Sequence, residues 1–354
     1  MLRSLVPLVS LVTLVSSSAP TEYDVSPMPR IPDRIAGHAK QQGDLLADIA
    51  HRNIAHAYLF TGPEGIGKTT VARWFAWRLL VDHLSPQEAA PIRAQMEKFI
   101  HPDFLCLDDL WIEEVNEDWN TIGLSSNVPQ QHRSKDTPAR TDTIGIDDLR
   151  AIAERLQATG ESPYMCCIIR GIERMQPTAA TSFLKILEEP PSRVIFILTC
   201  DNPTLLLPTI LSRTRTLRFS PLKKEEMISL LNGRDDDDAG FALHIAQGAP
   251  GTLRRLLDDP DLLRANKQLH SQAKQFWQTT SLKDRMSWLM KATEKKQAID
   301  DVLMHLGLTL KEYPDVRRRA ELVRAYSVLA RELTTNAHKA LILERFALAV
   351  QETT

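Results

Sequence analysis

The stretch Gly62-Pro63-Glu64-Gly65-Ile66-Gly67-Lys68-Thr69 decides how the chain is read. Its glycines, lysine and threonine have the spacing of a phosphate-binding loop. Glycines let successive backbone N–H groups converge on an anion, and a helix that starts there adds its positive end. The flanks agree. Tyr58-Leu59-Phe60 ahead of the loop is a short apolar strand, and Thr69 to Leu80 behind it carries Val71, Trp74, Phe75, Trp77 and Leu79 at helical spacing. With this spacing Lys68 reaches the terminal phosphates of a nucleotide, and the Thr69 hydroxyl ligates magnesium if nucleotide is bound. The candidate contacts are Gly62, Pro63, Glu64, Gly65, Ile66, Gly67, Lys68, Thr69 and Thr70.

Further strands are predicted at Phe104 to Leu107, Met165 to Ile169 and Val194 to Thr199. The last two are fully apolar, which suits strands of a parallel sheet covered on both faces. Helices are predicted at Asp147 to Ala158 and at Pro177 to Glu189, the second stopped by Pro190-Pro191. Alternating strands and helices with a glycine loop after the first strand mean a doubly wound α/β domain. Residues 113–142 are polar and aperiodic and read as an exposed insertion. Residues 222–259 read as a small helical unit, interrupted by Gly248 to Gly251 and by the acidic run Asp235 to Asp238, taken as a solvated loop. Residues 263–352 read as wholly helical.

Composition narrows the function classes. The 354 residues allow two or three domains, and 43% apolar with 25% charged residues is ordinary for a soluble protein. A formal net charge of −2 argues against nucleic-acid binding by bulk electrostatics. Cys106, Cys166, Cys167 and Cys200 lie in or beside apolar runs. Adjacent Cys166 and Cys167 point to opposite faces of a strand, so no cysteine cluster for zinc is expected. Reduced core cysteines suit the cytoplasm. Met1 to Ala19 has the outline of a secretory signal: Arg3, an apolar stretch from Leu5 to Val15, then Ser16-Ser17-Ser18-Ala19. The rival reading places the start of translation at Met28. An exported nucleotide-binding protein follows from the first reading, and a cytoplasmic protein without a membrane partner from the second.

Hydrolysis of a bound nucleotide needs an Asp to hold magnesium through water and an acid to orient the attacking water. Three strands compete to carry them. Phe104 to Asp109 ends in paired aspartates but comes early, and the strand at Val194 ends in the lone Asp201. Met165 to Gly171 has the right place in the order but ends in Arg170-Gly171.

From Pro29 onward the chain resembles the AAA+ subunits of the bacterial replicative clamp loader, most closely the delta-prime type of DNA polymerase III. The resemblance rests on His56-Ala57-Tyr58-Leu59-Phe60 entering the loop, His101-Pro102-Asp103-Phe104, and Ile144-Gly145-Ile146-Asp147-Asp148-Leu149-Arg150. Its most distinctive part is Leu184-Lys185-Ile186-Leu187-Glu188-Glu189-Pro190-Pro191, and Leu206-Leu207-Pro208-Thr209-Ile210-Leu211-Ser212-Arg213 follows at the family's spacing.

The resemblance implies an α/β AAA+ P-loop core with a parallel sheet over 28–220, a small helical lid over 221–262 and an all-α collar over 263–354, behind an N-terminal extension 1–27. It puts Arg170-Gly171 on the magnesium-Asp and catalytic-acid positions, so turnover of ATP with magnesium in this chain is expected to be poor or nil. It puts Asp201 where the family has a Thr or Asn that senses the γ-phosphate, which a carboxylate would repel.

Arg213, in Ser212-Arg213-Thr214, matches the family's arginine finger, which reaches into a neighbouring subunit's ATP site; an ordinary surface cation is the plain alternative. Arg254, in Gly251-Thr252-Leu253-Arg254, matches the lid's second nucleotide sensor, with a structural role as its alternative. Asn336 to Val350, with Lys339, Leu341, Leu343 and Glu344, resembles the last collar helices, with service in this chain's own core as the alternative for its apolar residues. The implied partners are gamma/tau motor subunits, delta, the sliding clamp and, through the assembled complex, primer–template DNA. Arg317-Arg318-Arg319 is read as a solvated helix face rather than a DNA contact. The competing function is an active gamma/tau-type ATPase.

Overall fold

The computed structural model describes residues 31–107, 143–157, 160–291, 296–333, 335 and 338–352. The N-terminal extension, the polar insertion 113–142 and the pair Asp108-Asp109 lie outside the described residues.

Five parallel strands form one sheet: β1 (Ala57–Thr61), β2 (Phe104–Leu107), β3 (Met165–Ile169), β4 (Val194–Cys200) and β5 (Arg215–Arg218), in the order β2-β3-β4-β1-β5. The register sets Tyr58 beside Ile197 on one side and Arg215 on the other. Strands β1 to β4 are buried at every residue. Alternate residues enter different cores, as a period of two requires. Tyr58, Phe60, Cys166 and Ile197 join one apolar cluster, while Leu59, Cys167, Phe196 and Leu198 join the other. The two adjacent cysteines therefore face opposite ways, as read from their spacing. The edge strand β5 is different: only Leu217 of Arg215-Thr216-Leu217-Arg218 is buried.

Around the sheet lie α1 (Ala39–Ala50), α2 (Lys68–Val81), α3 (Pro86–Glu97), α4 (Ile146–Leu156), α5 (Pro177–Glu188), α6 (Pro208–Ser212) and α7 (Lys224–Ser229). Helix α2 is buried nearly all round, with Val71, Phe75 and Leu80 fully enclosed. Helix α3 starts in a capping box: Ser85 N–H and Ser85 Oγ both donate to Glu88 Oε2, at 2.9 and 2.7 Å. Helix α4 resumes after Ile144, which bridges Met175 in parallel. The predicted helices and strands are found within a residue or two of their expected ends.

Beyond this body the chain continues as α8 (Asp237–Ala246), α9 (Pro250–Asp258), α10 (Pro260–Gln278), α11 (Leu282–Lys291), α12 (Lys296–Lys311), α13 (Val316–Leu333) and α14 (Lys339–Glu352). The fold class is as expected, a parallel α/β core followed by helices. Contacts divide the described residues into two compact units: those of Tyr23–Gly233 with Gly248–Gly251, and Arg234–Gln247 with those of Thr252–Thr354. Within the second unit Phe276, Trp277, Leu306, Tyr326 and Phe346 share one apolar core. The acidic run is not a loop throughout. Asp236 caps α8 by accepting from Ala239 N–H at 2.7 Å, and Asp237 and Asp238 form its first turn, where the helix dipole favours anions. No described helix is long and apolar enough to cross a membrane.

One buried charge ties the first unit together. Asp103 is fully buried; its Oδ2 accepts from Glu161 and Ser162 N–H at 2.9 and 2.8 Å, and its Oδ1 pairs with Arg193. The backbone N–H of Asp103 donates to His101 Nδ1 at 3.1 Å, so the His-Pro-Asp-Phe motif is a structural clasp ahead of β2. Breaking a buried pair leaves an uncompensated charge, so Asp103→Ala is expected to lower the unfolding free energy by about 3 kcal/mol. Urea titration reads this directly, and a loss below about 1 kcal/mol would remove the clasp from the account.

Candidate functional site

The phosphate loop leaves β1 at the sheet's C-terminal edge, where ligands of parallel α/β sheets bind. Gly62 N–H donates to Cys200 O at 3.2 Å, so the loop departs beside the end of β4. Gly62 and Gly67 have φ of 151° and 100°, and a Cβ on Gly62 would lie 2.4 Å from Phe219 O. Only glycine fits there. His38 Nε2 lies 2.9 Å from Ile66 O; a carbonyl only accepts, so the imidazole donates. Burial lowers the His38 pKa, while this hydrogen bond opposes the shift. Gly251 N–H donates to Gly65 O at 2.8 Å and fastens the start of α9 to the loop. Thr69 and Thr70 lie half-buried in the first turn of α2. This geometry fits a phosphate cradle.

Lys68 is already engaged. Its Nζ donates to Gly62 O at 2.6 Å, Pro63 O at 2.7 Å and Asp201 Oδ1 at 2.5 Å. An ammonium has three N–H donors, so the lysine has none left over. The Lys68 side chain is 6% exposed, and the carboxylate of Asp201 is its counter-charge. Behind Asp201 stands Glu173, whose Oε1 accepts from Asp201 N–H at 2.7 Å. Burial raises the Glu173 pKa, and the nearby Asp201 adds to the effect against the hydrogen bonds it accepts. Glu173 was not legible as a site residue: it follows Arg170-Gly171 in a short 3-10 turn, Ile172–Arg174, with no motif to flag it.

Arg170-Gly171 ends β3 on the same edge. Arg170 N–H donates to Leu107 O at 3.0 Å, and Gly171 N–H donates to Thr199 Oγ1 at 3.1 Å. The two positions implied for the magnesium and catalytic acids thus hold a half-buried arginine and a glycine with φ of 59°.

Arg213 lies at the other edge. It follows α6 and precedes β5, whose Arg215 pairs with Tyr58 and whose Arg218 pairs with Thr61 next to the loop. At about 3.3 Å per residue, the strand alone sets Arg213 roughly 15 Å from its own phosphate loop. Its Nη2 donates to Glu188 Oε1 at 2.8 Å, and its Nη1 donates to Thr209 O at 3.2 Å. Glu188 ends α5, so the stretches Leu184–Pro191 and Leu206–Arg213 meet in this ion pair. His56, Leu187, Glu188, Ser212 and Thr214 line a shallow groove around the guanidinium. Arg254 pairs with Asp258 one turn along α9, at 3.2 Å, and both are exposed. Arg319 donates to Lys311 O and Tyr313 O at 3.1 and 3.3 Å, tying down the preceding turn.

Comparison with known proteins gives the chain a family. The family model described as "DNA polymerase III, delta subunit" matches residues 37–223. The DNA polymerase III subunit gamma/tau of Mycobacterium bovis is 31% identical over 219 residues, covering 60% of this chain and 33% of that protein. The delta' subunit of Bacillus subtilis is 28% identical over 233 residues, covering 65% of this chain and 60% of that one. The delta' subunit of Pseudomonas aeruginosa is 29% identical over 162 residues, with 45% and 41% covered. The chain thus spans about a third of the length of the gamma/tau relatives it matches.

The Lys68–Asp201 pair should oppose a triphosphate twice, by occupying the lysine and by repelling the γ-phosphate. Asp201→Asn is therefore expected to tighten binding of a non-hydrolysable ATP analogue about tenfold, since a charge-assisted hydrogen bond is released. Titration calorimetry on both proteins checks this; equal affinities would show that the pair does not compete.

Proposed function

The chain belongs to the family described as DNA polymerase III, delta subunit, and from that premise we propose that it is a delta-prime-type subunit of the bacterial clamp loader. In this reading it works in the cytoplasm as an AAA+ scaffold beside gamma/tau motor subunits and delta. The assembly loads the sliding clamp onto primed DNA. The chain donates Arg213 to a neighbour's ATP site, where the guanidinium stabilises charge on the transferred phosphoryl group. Its own loop turns ATP over weakly or not at all.

The observation that carries this reading is the placement of Arg213 at the sheet edge opposite its own phosphate loop. A guanidinium held there by Glu188 has no access to its own chain's nucleotide but is well placed for one bound by an adjoining subunit. Arg170-Gly171 at the end of β3 supports weak turnover, because neither residue can hold magnesium through a carboxylate or orient water. If nucleotide binds, Lys68 would contact its terminal phosphates once freed from Asp201, Thr69 would supply a magnesium ligand, and Arg254 of the helical lid would sense it. The collar reading of α14 rests on Leu341, 64% exposed, beside the exposed Lys339 and Glu344, whereas Leu343 is buried in this chain's own core.

The rival, an active gamma/tau-type motor, is favoured by the 31% identity to the mycobacterial gamma/tau subunit. The two readings predict opposite results. For the scaffold, the purified chain alone shows no DNA-stimulated ATP hydrolysis. Within the reconstituted clamp loader, Arg213→Ala lowers turnover at the adjoining site about a thousandfold while assembly persists on gel filtration. Hydrolysis by the isolated chain that Lys68→Ala abolishes would establish the motor instead.

A further inference from the structure

The second unit holds a cluster that the clamp-loader reading does not use. His244 near the end of α8, His270 in the middle of α10 and Glu312 just past α12 bring one ligand atom each to within 4.8 Å of the others. His244 Nε2 lies 3.0 Å from Glu312 Oε1, and His270 Nε2 lies 3.9 Å from the same oxygen. Zinc bonds of about 2.0–2.2 Å to nitrogen and oxygen set tetrahedral edges of about 3.3–3.5 Å between ligand atoms. The observed pair of distances brackets that edge.

Hydrogen bonds fix which nitrogens carry lone pairs. Asn266 Nδ2 donates to Leu262 O at 2.9 Å, which leaves Asn266 Oδ1 as an acceptor. His305 Nε2, 3.1 Å from that oxygen, is therefore the donor. With its proton on Nε2, the neutral His305 ring has a bare Nδ1. His270 Nδ1, 3.3 Å away, must then donate to it. The relay leaves His270 Nε2 with an in-plane lone pair facing a carboxylate oxygen. His244 Nε2 is buried and makes no hydrogen bond, although it lies beside the same oxygen.

Two imidazole nitrogens and a carboxylate oxygen within 4.8 Å of one another are the donor set and the spacing that a divalent cation takes. Lys274 Nζ contacts only the other oxygen, Oε2, at 2.8 Å. Oε1 is therefore the Glu312 oxygen that meets the two imidazoles, at 3.0 and 3.9 Å.

We propose that His244 Nε2, His270 Nε2 and Glu312 Oε1 form a zinc site, with water in the fourth position. His305 and Asn266 form the outer shell that orients His270, the arrangement metal-bound imidazoles require. The site joins α8, α10 and the end of α12 within one unit, so its effect is to hold those helices together. It differs in ligands from the cysteine cluster that the sequence lacks.

The test uses the full chain without an affinity tag, freed of metal. Titration with zinc sulfate is expected to show one equivalent bound with a dissociation constant of about 10 μM or below, and to raise the melting temperature by a few degrees. Cobalt substitution should give visible absorption bands of a four-coordinate ion. His244→Gln and Glu312→Gln, both away from the apolar core, are each expected to weaken binding at least tenfold with far-ultraviolet circular dichroism unchanged. Lys274→Met removes a competing cation and should tighten binding severalfold. Absence of zinc binding at 100 μM metal, or affinity unchanged in both His244→Gln and Glu312→Gln, would overturn the site.

Discussion

Five strands running the same way give a sheet with two unlike edges, and the placement of chemistry in the first unit follows from that constraint. Parallel strands need crossover connections, which cover both faces and force the strands to be apolar on both. Polar groups can then gather only at strand ends. The C-terminal edge collects Gly62 after β1, Gly171 after β3 and Asp201 after β4; the N-terminal edge collects His56, Arg193 and Arg213 before β1, β4 and β5. Whatever a phosphate loop does at one edge, an arginine at the other must act on something else.

At the C-terminal edge one substitution makes sense of another. A nearly buried lysine needs a counter-charge. With arginine and glycine at the end of β3, that strand supplies none, and Asp201 at the end of β4 meets Lys68 instead. The carboxylate that would disfavour a γ-phosphate is thus the same group that balances the charge of Lys68. The second unit balances charge by a different route. There a chain of hydrogen bonds runs from Leu262 through Asn266 and His305 to His270, and Lys274 pairs with Glu312.

Most of the sheet was legible because buried parallel strands write themselves as short, wholly apolar runs. Strands β1 to β4 and helices α2, α4 and α5 carry that signal or its helical counterpart. Edge strand β5 does not: Arg215-Thr216-Leu217-Arg218 has one buried side chain and so no apolar run to mark it. Helix α3 contains Pro91, which argues against a helix, although Ser85-Pro86-Gln87-Glu88 is a capping box in plain sequence. The phosphate loop was legible because its residues are contiguous. Lys68–Asp201 and Arg213–Glu188 join residues 133 and 25 positions apart, and no local pattern specifies such pairs. Glu173 and the histidine relay belong to the same class of contact, set only when the helices and strands pack.

The Arg213–Glu188 pair has an entropic side. A free arginine side chain samples many rotamers, and fixing it costs about 2 kcal/mol. Glu188 and the Thr209 carbonyl have already fixed this one on the chain's own surface. An exposed ion pair is itself worth only about 0–1 kcal/mol, so giving up Glu188 for a more highly charged anion is a shallow step. In the role proposed for it, the guanidinium meets its target already oriented, and the ordering that makes it selective for geometry is completed at folding rather than at docking.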